Sequence, residues 1–125
     1  MSIPSFNPKK NYLVYITDII EAIDLIESYC KGINEDRFSK DIQLQDAVLR
    51  RFQIIGEAAG NIPDALRKKF SKIPWKKIVA QRNLIIHDYA TVQSGEVWMV
   101  IQKDLQVLKP QLIAVKEYLQ KDQPQ

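Results

Sequence analysis

Between Gln81 and Tyr89 the chain reads Gln81-Arg82-Asn83-Leu84-Ile85-Ile86-His87-Asp88-Tyr89, and His87 is its only histidine. An imidazole has an ordinary pKa of ~6.5, so it accepts or donates a proton near neutrality. Arg82 supplies a permanently charged planar fork that can hold phosphate oxygens in fixed directions. Together they offer proton transfer beside a bound anion. At 3.6 residues per turn Arg82 and Tyr89 share one face of a helix, whereas His87 lies roughly 140° round from Arg82. Arg82 and His87 converge only if the helix ends or distorts at His87, or if a cleft between two subunits collects them. A half-buried histidine with ordinary ion-pair neighbours fits the same spacing.

The rest of the chain must position this segment, and its apolar residues recur at helical intervals. From Tyr12 onward, Ile16, Ile19, Ile23, Ile26 and Cys30 alternate steps of three and four, drawing one stripe along a helix that Gly32 stops. Cys30 lies on that stripe and reads as a small core residue without chemistry. The polar stretch Asp36 to Asp41 breaks the pattern. Leu44, Val48, Phe52, Ile55 and Ala59 restart it, predicting a second long helix that ends near Gly60. Pro63-Asp64 fits the first turn of a short helix running out at Phe70-Ser71-Lys72.

Pro74 opens the helix that carries Arg82 and His87. A turn at Thr91 to Gly95 precedes a last helix with the stripe Val97, Ile101, Leu105, Leu108, Leu112, Val115 and Leu119. Ser94 is its expected N-cap. Pro110 falls off the apolar face and predicts a bend. No repeat or strand-like alternation competes, so the expected fold is all-α, an antiparallel helical bundle in a single domain spanning residues 1–125.

Composition agrees. The 125 residues suit one domain, with 46% hydrophobic and 26% charged residues as in an ordinary packed protein. Apolar runs such as Val97 to Ile101 fall far short of the ~20 residues of a membrane span. Residues Met1 to Lys10 lack the pattern of a secretory signal, and a single cysteine suits a reducing compartment, so a cytoplasmic location without membrane association is expected. The formal charge of +3 permits a polyanionic partner without requiring one. No Cys/His cluster has metal-ligand spacing, and neither a metal nor a cofactor is expected.

The string Arg82 to Tyr89 resembles the R-x-x-x-x-H-x-Y motif of HepT-like HEPN proteins, the toxin halves of MntA/HepT toxin-antitoxin systems. The likeness extends to Gln45 to Ala59, which resembles the family's second helix, and to Ile73 to Val79, which resembles the lead-in to its motif. Val97-Trp98 and Asp104-Leu105 fit as well. It covers nearly the whole chain in order, least at residues 1–11 and 120–125, which are expected to be flexible ends.

This resemblance implies a HEPN-like bundle acting as a homodimer with a composite site, in which Arg82 and His87 are catalytic. It implies metal-independent cleavage of RNA, transfer RNA being the preferred substrate, by attack of the 2′-hydroxyl on the adjacent phosphate. One histidine per chain is too few for separate imidazole acid and base groups, and a two-fold dimer brings two. Asn83 is a supporting residue that can orient Arg82 or the phosphate. Glu57, set among the small residues Gly56, Ala58 and Ala59, is a second supporting candidate able to meet the active-site helix. Tyr89 resembles the tyrosine that a cognate MntA-like nucleotidyltransferase antitoxin modifies by AMPylation, adding charge and bulk beside a phosphate-binding cleft.

Two other readings use the same residues. One is a non-catalytic HEPN binding module that partners a nucleotidyltransferase, and the other a helical adaptor whose motif is structural. The basic run Arg67-Lys68-Lys69 and the pair Lys76-Lys77 read as solvated surface, and Trp75 and Trp98 as core anchors.

Overall fold

The computed structural model describes the backbone of residues 8–87 and 93–121, and the side chains of residues 12–83 and 93–121. The isoleucine stripe folds as α1 (Pro8–Tyr29), with Ile16, Ile19, Ile23 and Ile26 fully buried along one face. The helix stops where expected, because Gly32 adopts φ +73°, a left-handed conformation that side chains with a Cβ resist. Cys30 is buried, and burial raises its thiol pKa, which disfavours the thiolate and matches an inert core role.

The polar stretch that interrupts the pattern is not a loop but the short helix α2 (Glu35–Lys40). Asn34 caps it, its side chain accepting a 2.9 Å hydrogen bond from the Arg37 amide, and Glu35 and Asp36 favour its first turn. Its single large apolar residue, Phe38, is 1% exposed and packs on Trp98, with ring centroids 5.3 Å apart. One plug residue per turn is too few to register as helical periodicity, which is why the pattern broke there. The next helix, α3 (Ile42–Gly60), starts on an Asp41 cap that accepts from the Leu44 amide at 3.0 Å, and ends at Gly60 as predicted.

After α3 comes α4 (Asp64–Lys69), preceded by Pro63 as its N-cap. Arg67 locks α4 to the end of α3: its Nη2 and Nε donate 2.9 Å hydrogen bonds to the carbonyls of Ala59 and Ile62. The Ala59 carbonyl lies in the last turn of α3 and that of Ile62 just beyond it, where backbone acceptors have no further helical partner ahead of them. Trp75 then opens α5 (Trp75–His87), buried and donating from Nε1 to the Phe70 carbonyl at 3.2 Å.

The final stripe forms one helical rod in three parts: α6 (Ser94–Met99), a π-helical turn (Val100–Asp104) and α7 (Leu105–Lys121). All seven stripe residues from Val97 to Leu119 are buried. The sequence shows why a π turn is needed. Val97, Ile101 and Leu105 follow two successive steps of four, which in a regular α-helix drift by roughly 80°. A wider turn, in which the Leu105 amide reaches back to the Val100 carbonyl, returns them to one face. Gln93, not Ser94, occupies the N-cap, and Ser94 is the first helical residue. Pro110 is exposed and sits inside α7, which is helical on both sides of it. The backbone irregularity of the rod lies at the π turn.

The described residues are all-α, without a strand. Helix α3 packs between α1 and α5, and α1 between α3 and α7, over one continuous core. Lys109 ties α7 to α1 through Asp24 at 2.7 Å and Glu27 at 2.9 Å, and these two carboxylates hold its pKa above the usual lysine value. Among the described residues no helix is long and apolar enough to cross a membrane. Of the expected flexible ends, residues 8–11 and 120–121 are helical, and the others lie outside the described residues.

Phe38→Ala removes the α2 plug and leaves a void beneath Trp98. It is expected to lower unfolding free energy by about 3–5 kcal/mol, measured by urea titration, with a change in the near-ultraviolet signal of Trp98. A loss below 1 kcal/mol would show that α2 is dispensable to the core.

Candidate active site

Helix α5 reaches α3 by one unusually close contact. A Cβ placed on Gly56 would collide with Arg82 Cβ, and would lie 2.7 Å from Arg82 Cγ and 3.3 Å from its Cα. Only glycine lets the two backbones approach so closely, and Ala59, one turn on, keeps the adjacent surface of α3 low. The stem of Arg82 is thus pressed onto α3, which restricts where its guanidinium can go.

Arg82 is half-buried, and its Nε is buried without a hydrogen-bond partner among the described residues. Arg51 on α3 has a buried, unpartnered Nε of the same kind. A buried donor left unpaired costs about 1–3 kcal/mol, more when charged. An anion bound by the Arg82 guanidinium would offset that cost.

Asn83 is exposed. His87 is the last residue of α5, which remains α-helical up to it, so the backbone of this chain carries Arg82 and His87 on different sides of the helix, roughly 140° apart. Asn83 stands one turn before His87 and on the same side. The side-chain positions of Leu84 to His87 lie outside the described residues, as do Asp88 and Tyr89 entirely.

Glu57 is exposed on α3, and its backbone carbonyl accepts from Asn61 Nδ2 at 2.9 Å. The residue that meets α5 is its neighbour Gly56. The signal was present in the run of small residues Gly56, Ala58 and Ala59, and the close approach they permit belongs to the glycine rather than to the carboxylate beside it. Among the described residues no group of three or more His, Cys, Asp or Glu side chains could hold a metal ion.

Gly56→Ala tests the seam. Alanine gains about 0.5–1 kcal/mol over glycine within a helix, but overpacking against backbone and Cβ atoms costs about 1–3 kcal/mol. The net expectation is a less stable protein with α5 displaced, seen as a lowered Tm and altered amide chemical shifts around Arg82. A raised Tm with unmoved Arg82 signals would overturn the close-contact account.

The ribonuclease HepT-like family model matches residues 19–115, which include the whole of α3 and α5. The chain is 41% identical over 114 residues to a protein of Methanocaldococcus jannaschii named "Gamma-glutamylcyclotransferase and putative RNase", covering 91% of this chain and 51% of that one. It is 39% identical over 108 residues to a "Putative RNase" of Caldanaerobacter subterraneus subsp. tengcongensis, covering 86% of this chain and 94% of the relative. A "Probable ribonuclease HepT" of Thermococcus cleftensis is 37% identical over 101 residues, which cover 81% and 92% of the two chains. The chain therefore spans about half the length of the first relative and over nine-tenths of the other two. No solved structure matches it significantly. With a family model that spans α3, α5 and most of the bundle, and with relatives of similar length above 30% identity, the chain belongs to the ribonuclease HepT-like family.

Proposed function

We propose that this chain is a metal-independent ribonuclease in which Arg82 holds the scissile phosphate and His87 transfers protons. The observation that carries the reading is the buried, unpartnered Nε of an arginine fixed against Gly56, five residues before the only histidine. Cleavage proceeds by attack of the ribose 2′-hydroxyl on the adjacent phosphate, leaving a 2′,3′-cyclic phosphate and a free 5′-hydroxyl. A base must take the 2′ proton, an acid must supply one to the leaving oxygen, and a fixed cation must meet the charge that develops between them.

One imidazole cannot be base and acid at once. The active form is therefore a homodimer, whose cleft collects Arg82 and His87 from two copies and so removes the difficulty of their 140° separation within one α5. Asn83, one turn from His87, assists in holding the phosphate. Glu57 has the weaker claim to a supporting place, since its exposed side chain belongs to the face of α3 next to the seam. Transfer RNA is the proposed substrate. The enzyme acts as a toxin, and its antitoxin is a nucleotidyltransferase that places AMP on Tyr89, where added negative charge and bulk oppose RNA. A cytoplasmic setting follows from that role.

In EDTA, wild type is expected to cleave a defined transfer RNA to cyclic-phosphate ends, and His87→Ala to lose about 10²–10⁴-fold in rate with unchanged helical content and Tm. Retained cleavage in the variant would remove His87 from the chemistry. Incubation with the partner nucleotidyltransferase and labelled ATP should transfer AMP to wild type and not to Tyr89→Phe, and equal labelling of both would place the modification elsewhere.

A further inference from the structure

The net positive charge of the chain is concentrated at one corner. Residues 64–77, where α4 turns into α5, hold Arg67, Lys68, Lys69, Lys72, Lys76 and Lys77 against one carboxylate, Asp64. That is a net +5 in a chain whose total is +3, so everything outside the corner is slightly acidic taken together. Two of the six cations are engaged. Arg67 is committed to the carbonyls of Ala59 and Ile62, and the Lys69 ammonium stands 4.6 Å from the ring centroid of Tyr118. Lys68, Lys72, Lys76 and Lys77 are exposed, and none forms an ion pair among the described residues.

The fold gives this charge a shape and a direction. Asp64, Arg67, Lys68, Ser71, Lys76 and Lys77 line one open concavity of about 580 Å³, and Lys72 lies beside that lining in sequence, next to Ser71. Lys76 also begins a line along α5: Lys76, Ala80, Asn83 and His87 follow steps of four, three and four, which keep one side of a helix. The first three are exposed, and the span from Lys76 to His87 is about 16 Å at 1.5 Å per residue. Solvated lysines serving solubility alone are normally interspersed with acids. Lys68, Lys76 and Lys77 share that concavity without an ion pair among the described residues, and like charges gathered on one surface raise the local potential for an anion.

We propose that this corner is a docking surface for the RNA backbone, with Lys68, Lys72, Lys76 and Lys77 contacting phosphates away from the cleaved bond. The inference deepens the ribonuclease reading and rests on it for the identity of the polyanion. Ammonium groups on flexible stems hold phosphates without directional demand, so the surface contributes affinity and places the strand along α5 toward His87 while carrying no base specificity.

The test measures binding of a labelled single-stranded RNA by fluorescence anisotropy across a potassium chloride series. Wild type, K76Q/K77Q, the quadruple K68Q/K72Q/K76Q/K77Q and the control K31Q/K103Q are compared, each checked for native helicity and Tm. Arg67 is left intact because it holds α4 in place. Each lysine that touches a phosphate should reduce the steepness of log affinity against log salt by about 0.7. The quadruple variant should therefore be flatter by up to about 2.8, the double variant by about half as much, and the control should match wild type.

A quadruple variant with the wild-type slope, or wild type without salt-dependent RNA binding, overturns the proposal. So does loss of binding to an acidic protein partner by a variant whose RNA slope is unchanged. Wild type that cleaves RNA while all slopes coincide refutes the surface and leaves the ribonuclease reading standing. Wild type that binds with the predicted slopes yet cleaves nothing does the reverse.

Discussion

The contact between Gly56 and Arg82 sets the terms for everything around it. Two helices can approach until backbone meets the Cβ of the opposing residue only where one side has no Cβ. Glycine in mid-helix costs about 0.5–1 kcal/mol in chain entropy relative to alanine, a modest penalty beside the 1–3 kcal/mol of forcing a methyl into the same space. The close approach turns a flexible side chain into a directed one. With its Cβ and Cγ set against Gly56 of α3, the Arg82 stem is held at its root, so less entropy is lost when its fork meets an anion.

The bundle supports this seam from behind. Helix α3 is held on its other side by α1, which is in turn braced by α7. The core stripes of α1 and of the last rod consist almost wholly of Ile, Leu and Val. Helix α5 spends one side on α3 and leaves another exposed at Lys76, Ala80 and Asn83. An element buried all round could not present residues to a strand or to a second copy.

How far the chemistry was legible depended on whether its signal was local. The stripes of α1, α3 and the last rod follow from spacing alone, and every stripe residue named from the sequence between Val97 and Leu119 is buried. Helix α2 escaped that reading because Phe38 is its only buried residue, and its stability comes from the Asn34 cap and the tilted ring contact with Trp98, which is remote in sequence. At the seam, small residues advertised a close approach, but not which of them faces α5. The relation of Arg82 to His87 lay beyond any single-chain pattern, since a regular helix separates them. The charge corner was visible as two basic runs, and only the fold shows that they share one concavity.

The π-helical turn at Val100–Asp104 joins two lengths of helix with different duties: α6 presents Trp98 to Phe38, and α7 seals the bundle against α1. The extra breadth of that turn acts as a phase adjuster on a shaft. Each residue of an α-helix advances its neighbours by roughly 100°, so the angular setting of Trp98 relative to Leu112 is fixed by the residue count between them. The two ends of the rod are thereby geared together. Removing one residue from this stretch would leave a spacing of seven residues from Val97 to Leu105, roughly two regular α-turns, so both sets of apolar side chains would keep one face without the wider turn, whereas inserting one would turn them apart.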